Sequence, residues 1–223
     1  MKKISIFFVL FAITITQAFA QKDAQARAIL NRMSQKYHAY NTIKSDFTFV
    51  IEDQQNNEQQ VQDGTLLIQA KTNKYKLTLY DEGSKTSVQE EIISDGKNQW
   101  TYITKDKEVQ LNKAENSESS FNPAQIFTIY EKGYKYIYTG DETVKGRLCQ
   151  VIDLTPEEDK EFFKIRLYID KAKKQLFSAT IFDKNGGRFT YTINTFTPNV
   201  PAPESTFIYD SKAHPGIEVV DLR

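Results

Sequence analysis

Apolar and polar positions alternate along much of this chain. In Phe47-Thr48-Phe49-Val50-Ile51, Tyr75-Lys76-Leu77-Thr78-Leu79 and Phe163-Lys164-Ile165-Arg166-Leu167-Tyr168-Ile169 the alternation gives each strand one apolar and one polar face. That is the pattern of a half-buried antiparallel sheet. Further strands are expected at intervals of roughly ten residues, the rhythm of an all-β sandwich or barrel. They are Gly64–Ala70, Lys74–Tyr80, Glu90–Ser94, Gln99–Ile103 and Glu108–Leu111, then Tyr134–Thr139, Arg147–Leu154, Glu161–Ile169, Gln175–Asp183 and Arg188–Thr197. Turn residues punctuate them. Asp95-Gly96 favours the positive φ angles of a tight hairpin, and Asp183-Lys184-Asn185-Gly186-Gly187 is a second tight turn. The polar run Asp53–Gln60 closes the first long hairpin. Pro198, Pro201 and Pro203 break the ladder, and a short segment Thr206–Tyr209 leads into the tail.

A helical period replaces the alternation twice. Behind Asp23 as N-cap, Ala26, Leu30, Met33, Tyr37 and Tyr40 recur at spacings of three and four and form one apolar stripe. Residues 21 to 63 hold neither glycine nor proline, which suits a helix feeding a long hairpin. Later, Asn122-Pro123 reads as a cap followed by a first-position proline, with Ile126, Phe127 and Tyr130 on one side and Gly133 as the stop. The expected architecture is mainly β: one incomplete, strongly curved antiparallel barrel of about ten or eleven strands, with both helices filling its concave side. Helices can shift while a sheet keeps its hydrogen bonds, so this arrangement has a built-in way to open a cavity. Apolar ligands are commonly held in the mouths of barrels.

The first residues add a targeting signal. Met1-Lys2-Lys3 is a positive start, Ile4 to Ile15 is apolar, and Ala18-Phe19-Ala20 precedes Gln21 as a small-x-small cleavage site. The apolar stretch is short of the ~20 residues that span a bilayer. Residues 1–20 therefore read as a cleaved signal peptide and 21–223 as a single domain, with Gln21 directly after the cleavage site instead of the cysteine that would carry an N-terminal lipid anchor. Cleavage removes Lys2 and Lys3 from 29 basic residues, leaving 27 against 29 acidic ones, a net charge of −2. A chain in such balance lacks the basic excess of a general nucleic-acid binder, so no nucleic acid is expected as a partner.

Chemistry has few candidates. Two histidines and one cysteine are all the chain offers of those types. Cys149 lies in the alternating Arg147–Ile152 segment and reads as a small buried hydrophobe, with no basic partner to activate it. His38 on the first helix and His214 beside Pro215 have no ligand at metal spacing. The pairs Glu90-Glu91 and Glu157-Glu158 are adjacent, so on a strand they point to opposite faces. No Gly-x-Ser-x-Gly or phosphate-cradling glycine loop is present. A binding protein rather than an enzyme is expected, with no cofactor and no metal.

Several segments in order resemble the periplasmic outer-membrane lipoprotein carrier family (LolA-like). They are Ser45-Asp46-Phe47 after the first helix, Gly64-Thr65-Leu66, Lys74-Tyr75-Lys76-Leu77, Ile93-Ser94-Asp95-Gly96-Lys97 with Trp100-x-Tyr102, the middle helix Pro123–Tyr130 and the tail His214–Asp221. The resemblance covers essentially the whole mature chain. It implies a soluble periplasmic carrier with a half-barrel fold. Such a carrier takes triacylated lipoproteins from an inner-membrane ABC transporter and delivers them to an outer-membrane acceptor, or to the outer membrane itself. The family's arginine-proline pair, whose arginine helps hold the lid shut, has Lys71-Thr72 as its nearest counterpart here. Lysine lacks the planar donor fork of arginine, so a latch at Lys71 is expected to be weaker or absent.

On this reading Phe47, Phe49, Ile51, Leu66, Ile68, Tyr75, Leu77, Leu79, Trp100 and Tyr102 face the acyl cavity. Leu30, Met33, Ile126, Phe127 and Tyr130 stopper it from the lid helices, and the protein acts as a monomer. Two other readings stay open at this point: a lipid- or lipoprotein-sensing envelope regulator on the same fold, and a structural envelope module whose concave face is plain core.

Overall fold

The computed structural model describes residues 24–54, 56, 58–114 and 126–223. The signal segment and the start of the expected middle helix, Asn122-Pro123, lie outside the described residues. Helix α1 covers residues 24–38. Its last turn tightens: the N–H groups of Ala39 and Tyr40 reach the carbonyls of Lys36 and Tyr37 at 3.3 and 3.1 Å.

The strands are β1 (Thr42–Asp53), β2 (Glu58–Gln69), β3 (Lys74–Tyr80), β4 (Val88–Asp95), β5 (Asn98–Ile103), β6 (Glu108–Lys113), β7 (Tyr134–Val144), β8 (Arg147–Pro156), β9 (Phe162–Asp170), β10 (Gln175–Asp183), β11 (Gly187–Ile193), β12 (Thr197–Pro198) and β13 (Glu218–Asp221). They form one 13-stranded sheet in the order β13-β6-β5-β4-β3-β2-β1-β11-β10-β9-β8-β7, with β12 paired to β1. The sheet is long, open and curved. Two meanders, β1–β6 and β7–β11, meet where β1 pairs antiparallel with β11, Phe47 opposite Ile193. Every expected strand from Gly64–Ala70 to Gln175–Asp183 overlaps an observed one.

The strand count exceeds the expected ten or eleven because of two short elements at the end of the chain. β12 is two residues long and contains Pro198. β13 is four residues long and pairs in parallel with β6, Glu218 opposite Glu108. A parallel partner needs a crossover rather than a hairpin, so no turn signal announces it.

The mid-chain helix is a correction. Residues 126–128 form a turn, followed by a single 3-10 turn, Ile129–Glu131. The sequence Ile126-Phe127-Thr128-Ile129-Tyr130 is β-branched or aromatic at every position, and such side chains lose χ1 freedom in a helix. Ile126, Phe127 and Tyr130 are nevertheless buried, at 2%, 1% and 4% exposure. The three side chains that the spacing grouped on one side are all buried, while the backbone took another form.

Phe163 is also displaced from its expected face. A register shift between Phe182 and Asp183 lets Phe162 pack against the main core, while Phe163 is 52% exposed beside Phe182. A bulge of this kind reverses the alternation on one side of it.

Candidate functional site: an apolar hollow beneath a helix

The inner face of the sheet is the one that α1 covers. Phe47, Leu66, Ile68, Tyr75 and Leu77 stand there, each no more than 9% exposed. Register aligns them: Gly64 lies opposite Phe47, Leu66 opposite Leu77 and Ile68 opposite Tyr75. Gly64 is required by that packing. A Cβ there would sit 2.4 Å from Phe47 Cζ and 2.7 Å from the Thr78 carbonyl oxygen, so the missing side chain is the space the Phe47 ring occupies. Phe47 stacks on Tyr191 across the β1–β11 seam, ring centroids 4.5 Å apart.

Phe49 and Leu79 are half-buried against the same core, and Ile51 lies beyond it, opposite Phe189. The second half of the wall, Ile152 and Leu154 on β8, Ile165 and Leu167 on β9, and Tyr191 and Ile193 on β11, belongs to the same cluster. The expected site stops short of these residues, although alternation in Arg147–Leu154 and Ile165–Ile169 carries the same signal.

Trp100 and Tyr102 do not belong to the hollow. They pack on the opposite face with Ile93, Val109, Tyr209 and Ile217. Register fixes this: Trp100 lies opposite Ile93, whose neighbour Ile92 packs against the inner core. His214 completes the outer cluster, its ring 5.3 Å from those of both Tyr102 and Tyr209.

Both predicted segments pack over the inner face. Leu30 and Met33 on α1 are 3% and 0% exposed and share a cluster with Ile126, Phe127 and Tyr130. Tyr37 packs on Phe127 at 5.1 Å, and Phe196 joins the pair at 5.8 and 5.7 Å. Side chains tie this cover to the sheet. The Tyr37 hydroxyl accepts the Leu176 N–H at 2.8 Å, and burial pushes its phenol above the ordinary value. Arg27 Nε donates to the Tyr136 hydroxyl at 3.2 Å, and Lys36 Nζ to the Lys173 carbonyl at 2.7 Å. Within the cover, Ser34 Oγ and His38 Nε2 meet Glu131 Oε1 at 2.6 and 3.0 Å.

The latch expected at Lys71 does not form in this structure. Lys71 is exposed in the β2–β3 turn at φ 62°, and among the described residues it makes no ion pair. Glu131, which takes hydrogen bonds from two α1 side chains, ties the helix to the mid-chain turn in a contact the sequence did not reveal. Its partners lie 93 and 97 positions away, beyond the reach of any local pattern.

The hollow is poor in reactive groups. Tyr75 donates its hydroxyl to Gln99 Oε1 at 2.7 Å, and burial pushes that phenol up to about 12. Outside the hollow, on the face opposite Ile152 and Leu154, Cys149 is fully buried, and burial with the nearby Asp170 carboxylate pushes its thiol up to about 11. A thiol held protonated is a packing group, not a nucleophile. The wall can shed water and contact hydrocarbon.

A family model described as outer membrane lipoprotein carrier protein LolA matches residues 38–210. Among solved structures the fold is similar to an uncharacterized conserved protein from Thermus thermophilus, with a TM-score of 0.57 and 11% identity over 87% of this chain and 98% of that one. It is also similar to LprF from Mycobacterium bovis, with a TM-score of 0.50 and 13% identity over 81% and 96% of the two chains. A LolA superfamily protein from Nitrosomonas europaea aligns with a TM-score of 0.45 and 11% identity over 83% and 98%. No curated protein matches the sequence.

Proposed function

The chain belongs to the outer membrane lipoprotein carrier protein LolA family, and from that premise we propose that it is a periplasmic carrier of lipoprotein acyl chains. One observation supports this above the others: among the described residues the apolar inner face is covered by α1 and a 3-10 turn, held by side chains rather than by a backbone ladder. Such a cover can leave while the sheet stays intact.

Hydrocarbon in water costs ~0.8 kcal/mol for each CH₂ that a carrier could bury, so a lipoprotein does not cross an aqueous gap unaided. The carrier needs a wall that accepts chains of different length and a way to release them. Phe47, Leu66, Ile68, Tyr75 and Leu77 offer non-directional contacts of that kind. Leu30, Met33, Phe127 and Tyr130 fill the same volume when cargo is absent, so loading exchanges protein apolar contacts for acyl contacts. The two are similar in kind, which keeps the net free energy of loading small and release feasible. The donor is an inner-membrane ABC transporter and the destination is the outer membrane or an acceptor on it.

The test is native mass spectrometry of the purified protein mixed with a triacylated lipoprotein. A stoichiometric complex is expected. Phe49→Glu, at the half-buried margin of the hollow, should keep the circular dichroism spectrum and weaken uptake at least tenfold, about 1.4 kcal/mol. No complex with the wild-type protein overturns the carrier reading, and full uptake by a folded Phe49→Glu protein overturns the assignment of the wall.

A further inference from the structure

The hairpins alternate between two ends of the sheet, and the two rims differ in charge. At one rim lie the turns β2–β3, β4–β5, β7–β8 and β9–β10. Each carries lysine: Lys71; Lys97; Lys145; and Lys171, Lys173 and Lys174. No acidic residue stands between the strands in these four turns, and all six lysines are exposed. The other rim holds Asp81, Glu82, Asp106, Glu157, Glu158, Asp159 and Glu161 in its turns, with Lys85, Lys105, Lys107, Lys160 and Lys184 among them.

Backbone geometry sharpens the contrast. Lys71, Lys145 and Lys174 have φ angles of 62°, 48° and 51°. A side chain in this left-handed region is disfavoured, and glycine or asparagine is its usual occupant. Lysine serves none of the turn geometry there. What it adds is an exposed charge on a long stem in each turn. Lys107 on the opposite rim has the same conformation, at φ 52°, but follows Asp106 directly.

Acidic residues at the ends of the flanking strands are engaged. Asp95 accepts the N–H groups of Lys97 and Asn98 at 2.8 and 2.7 Å. Asp170 is 7% exposed, accepts the Lys173 N–H at 2.8 Å and lies 3.5 Å from Arg147. Lys171 pairs with Asp141 at 2.6 Å. Among the described residues, Lys71, Lys97, Lys145, Lys173 and Lys174 make no ion pair. Leu148 is 49% exposed and lines a shallow cleft with Gly146, Arg147, Lys171, Ala172 and the Arg147-paired Asp170.

We propose that this lysine rim docks the protein on an anionic lipid surface, with Leu148 entering the headgroup layer. The charges are divided among four separate turns, one lysine in each of three and three in the fourth, and among the described residues no geometry converges them on one phosphate-sized point. That spacing matches a diffuse negative surface better than a discrete ligand. An apolar side chain flanked by basic residues is the arrangement that interfacial binding favours. The carrier reading gives such docking a purpose, but the docking is independent of cargo and is tested on cargo-free protein.

The experiment is co-sedimentation with vesicles of phosphatidylglycerol mixed with phosphatidylcholine, and with phosphatidylcholine alone. The wild-type protein should partition onto the mixed vesicles only, and added salt should release it. The triple variant Lys71→Asn, Lys145→Asn, Lys174→Asn should lose partitioning on the order of a hundredfold. Its thermal midpoint should match or exceed wild type, because asparagine suits the turns better. The control Lys105→Gln, Lys107→Asn on the opposite rim should bind as wild type. Equal binding to neutral vesicles, no binding to either kind, unchanged binding by the triple variant, or equal loss in the control each overturns the proposal. Acyl uptake by the triple variant stays at the wild-type level, so failure here is separable from failure of the carrier reading.

Discussion

Each face of the sheet carries an apolar cluster, and the two are closed in different ways. The inner cluster is large and is covered by α1 and the Ile129–Glu131 turn, whose contacts with the sheet are made by side chains. The outer cluster centres on Ile93, Val109 and Tyr209 and is covered by the chain's own tail. That tail is sewn down by backbone: β13 pairs with β6, and the Leu222 N–H reaches the Leu111 carbonyl at 2.8 Å. Arg223 adds a hydrogen bond to Asn98 at 3.0 Å. Burial therefore says little about permanence. A cover held through apolar contact and a few hydrogen bonds can be displaced by other apolar matter, whereas a ladder must be broken bond by bond.

The largest test of this contrast compares truncations on the two faces. Phe127→Ala should cost about 3–5 kcal/mol in urea denaturation, because Phe127 is 1% exposed at the centre of the stopper. Trp100→Ala, at a half-buried site, should cost clearly less and leave acyl uptake intact. Equal costs would mean the two clusters are equivalent cores.

A smaller effect is expected from Tyr37→Phe, which keeps the ring but leaves the Leu176 N–H without its acceptor. About 1–3 kcal/mol should be lost. The Leu176 amide should exchange with solvent faster while the β6–β13 amides do not change. Accelerated exchange in β13 as well would show the two covers to be coupled.

The smallest concerns acid. Hydrogen bonds from Arg223 push the Asp221 carboxyl down to about 2 from an ordinary 3.8. A group with a depressed folded-state pKa contributes its full share above the unfolded value and loses it as pH falls through the folded one. Between 3.8 and about 2 the tail clamp should therefore weaken. Methyl resonances of Val219 and Val220 should move toward random-coil positions in that window, and Asp221→Asn should move them at neutral pH. Resonances of Leu30 on the inner cover should stay in place.

Much of the fold was legible because strand alternation and turn residues are local signals. β3 and β10 run from Lys74 to Tyr80 and from Gln175 to Asp183, as the alternation predicts. The α1 stripe is buried as its spacing implies, with Ala26 and Met33 at 0% exposure. What the pattern cannot supply is the sign of a face. A period of two divides Tyr75–Leu79 and Trp100–Tyr102 into sides without saying which side is inside. The strand β5 is half-buried at every position, so apolar weight alone could not orient it. Its outer face is apolar because residues 204–221 return to cover it, a contact separated by about a hundred positions. The Glu131 contacts and the β13 pairing escape local reading for the same reason. Lys71 shows the reverse case, where sequence order suggested a lid contact and the turn conformation directs the side chain to solvent.

The placement of Trp100 has a practical consequence. It is the chain's single tryptophan, and it belongs to the outer cluster with Tyr209 and Ile217. Its emission wavelength is thus an intrinsic optical gauge of the tail, blind by position to what enters the hollow. A fluorescence titration that shows no spectral shift on adding lipid would say nothing against uptake. To watch the interior, the reporter must be moved, and Phe49, at the margin of the hollow, is the natural place to move it.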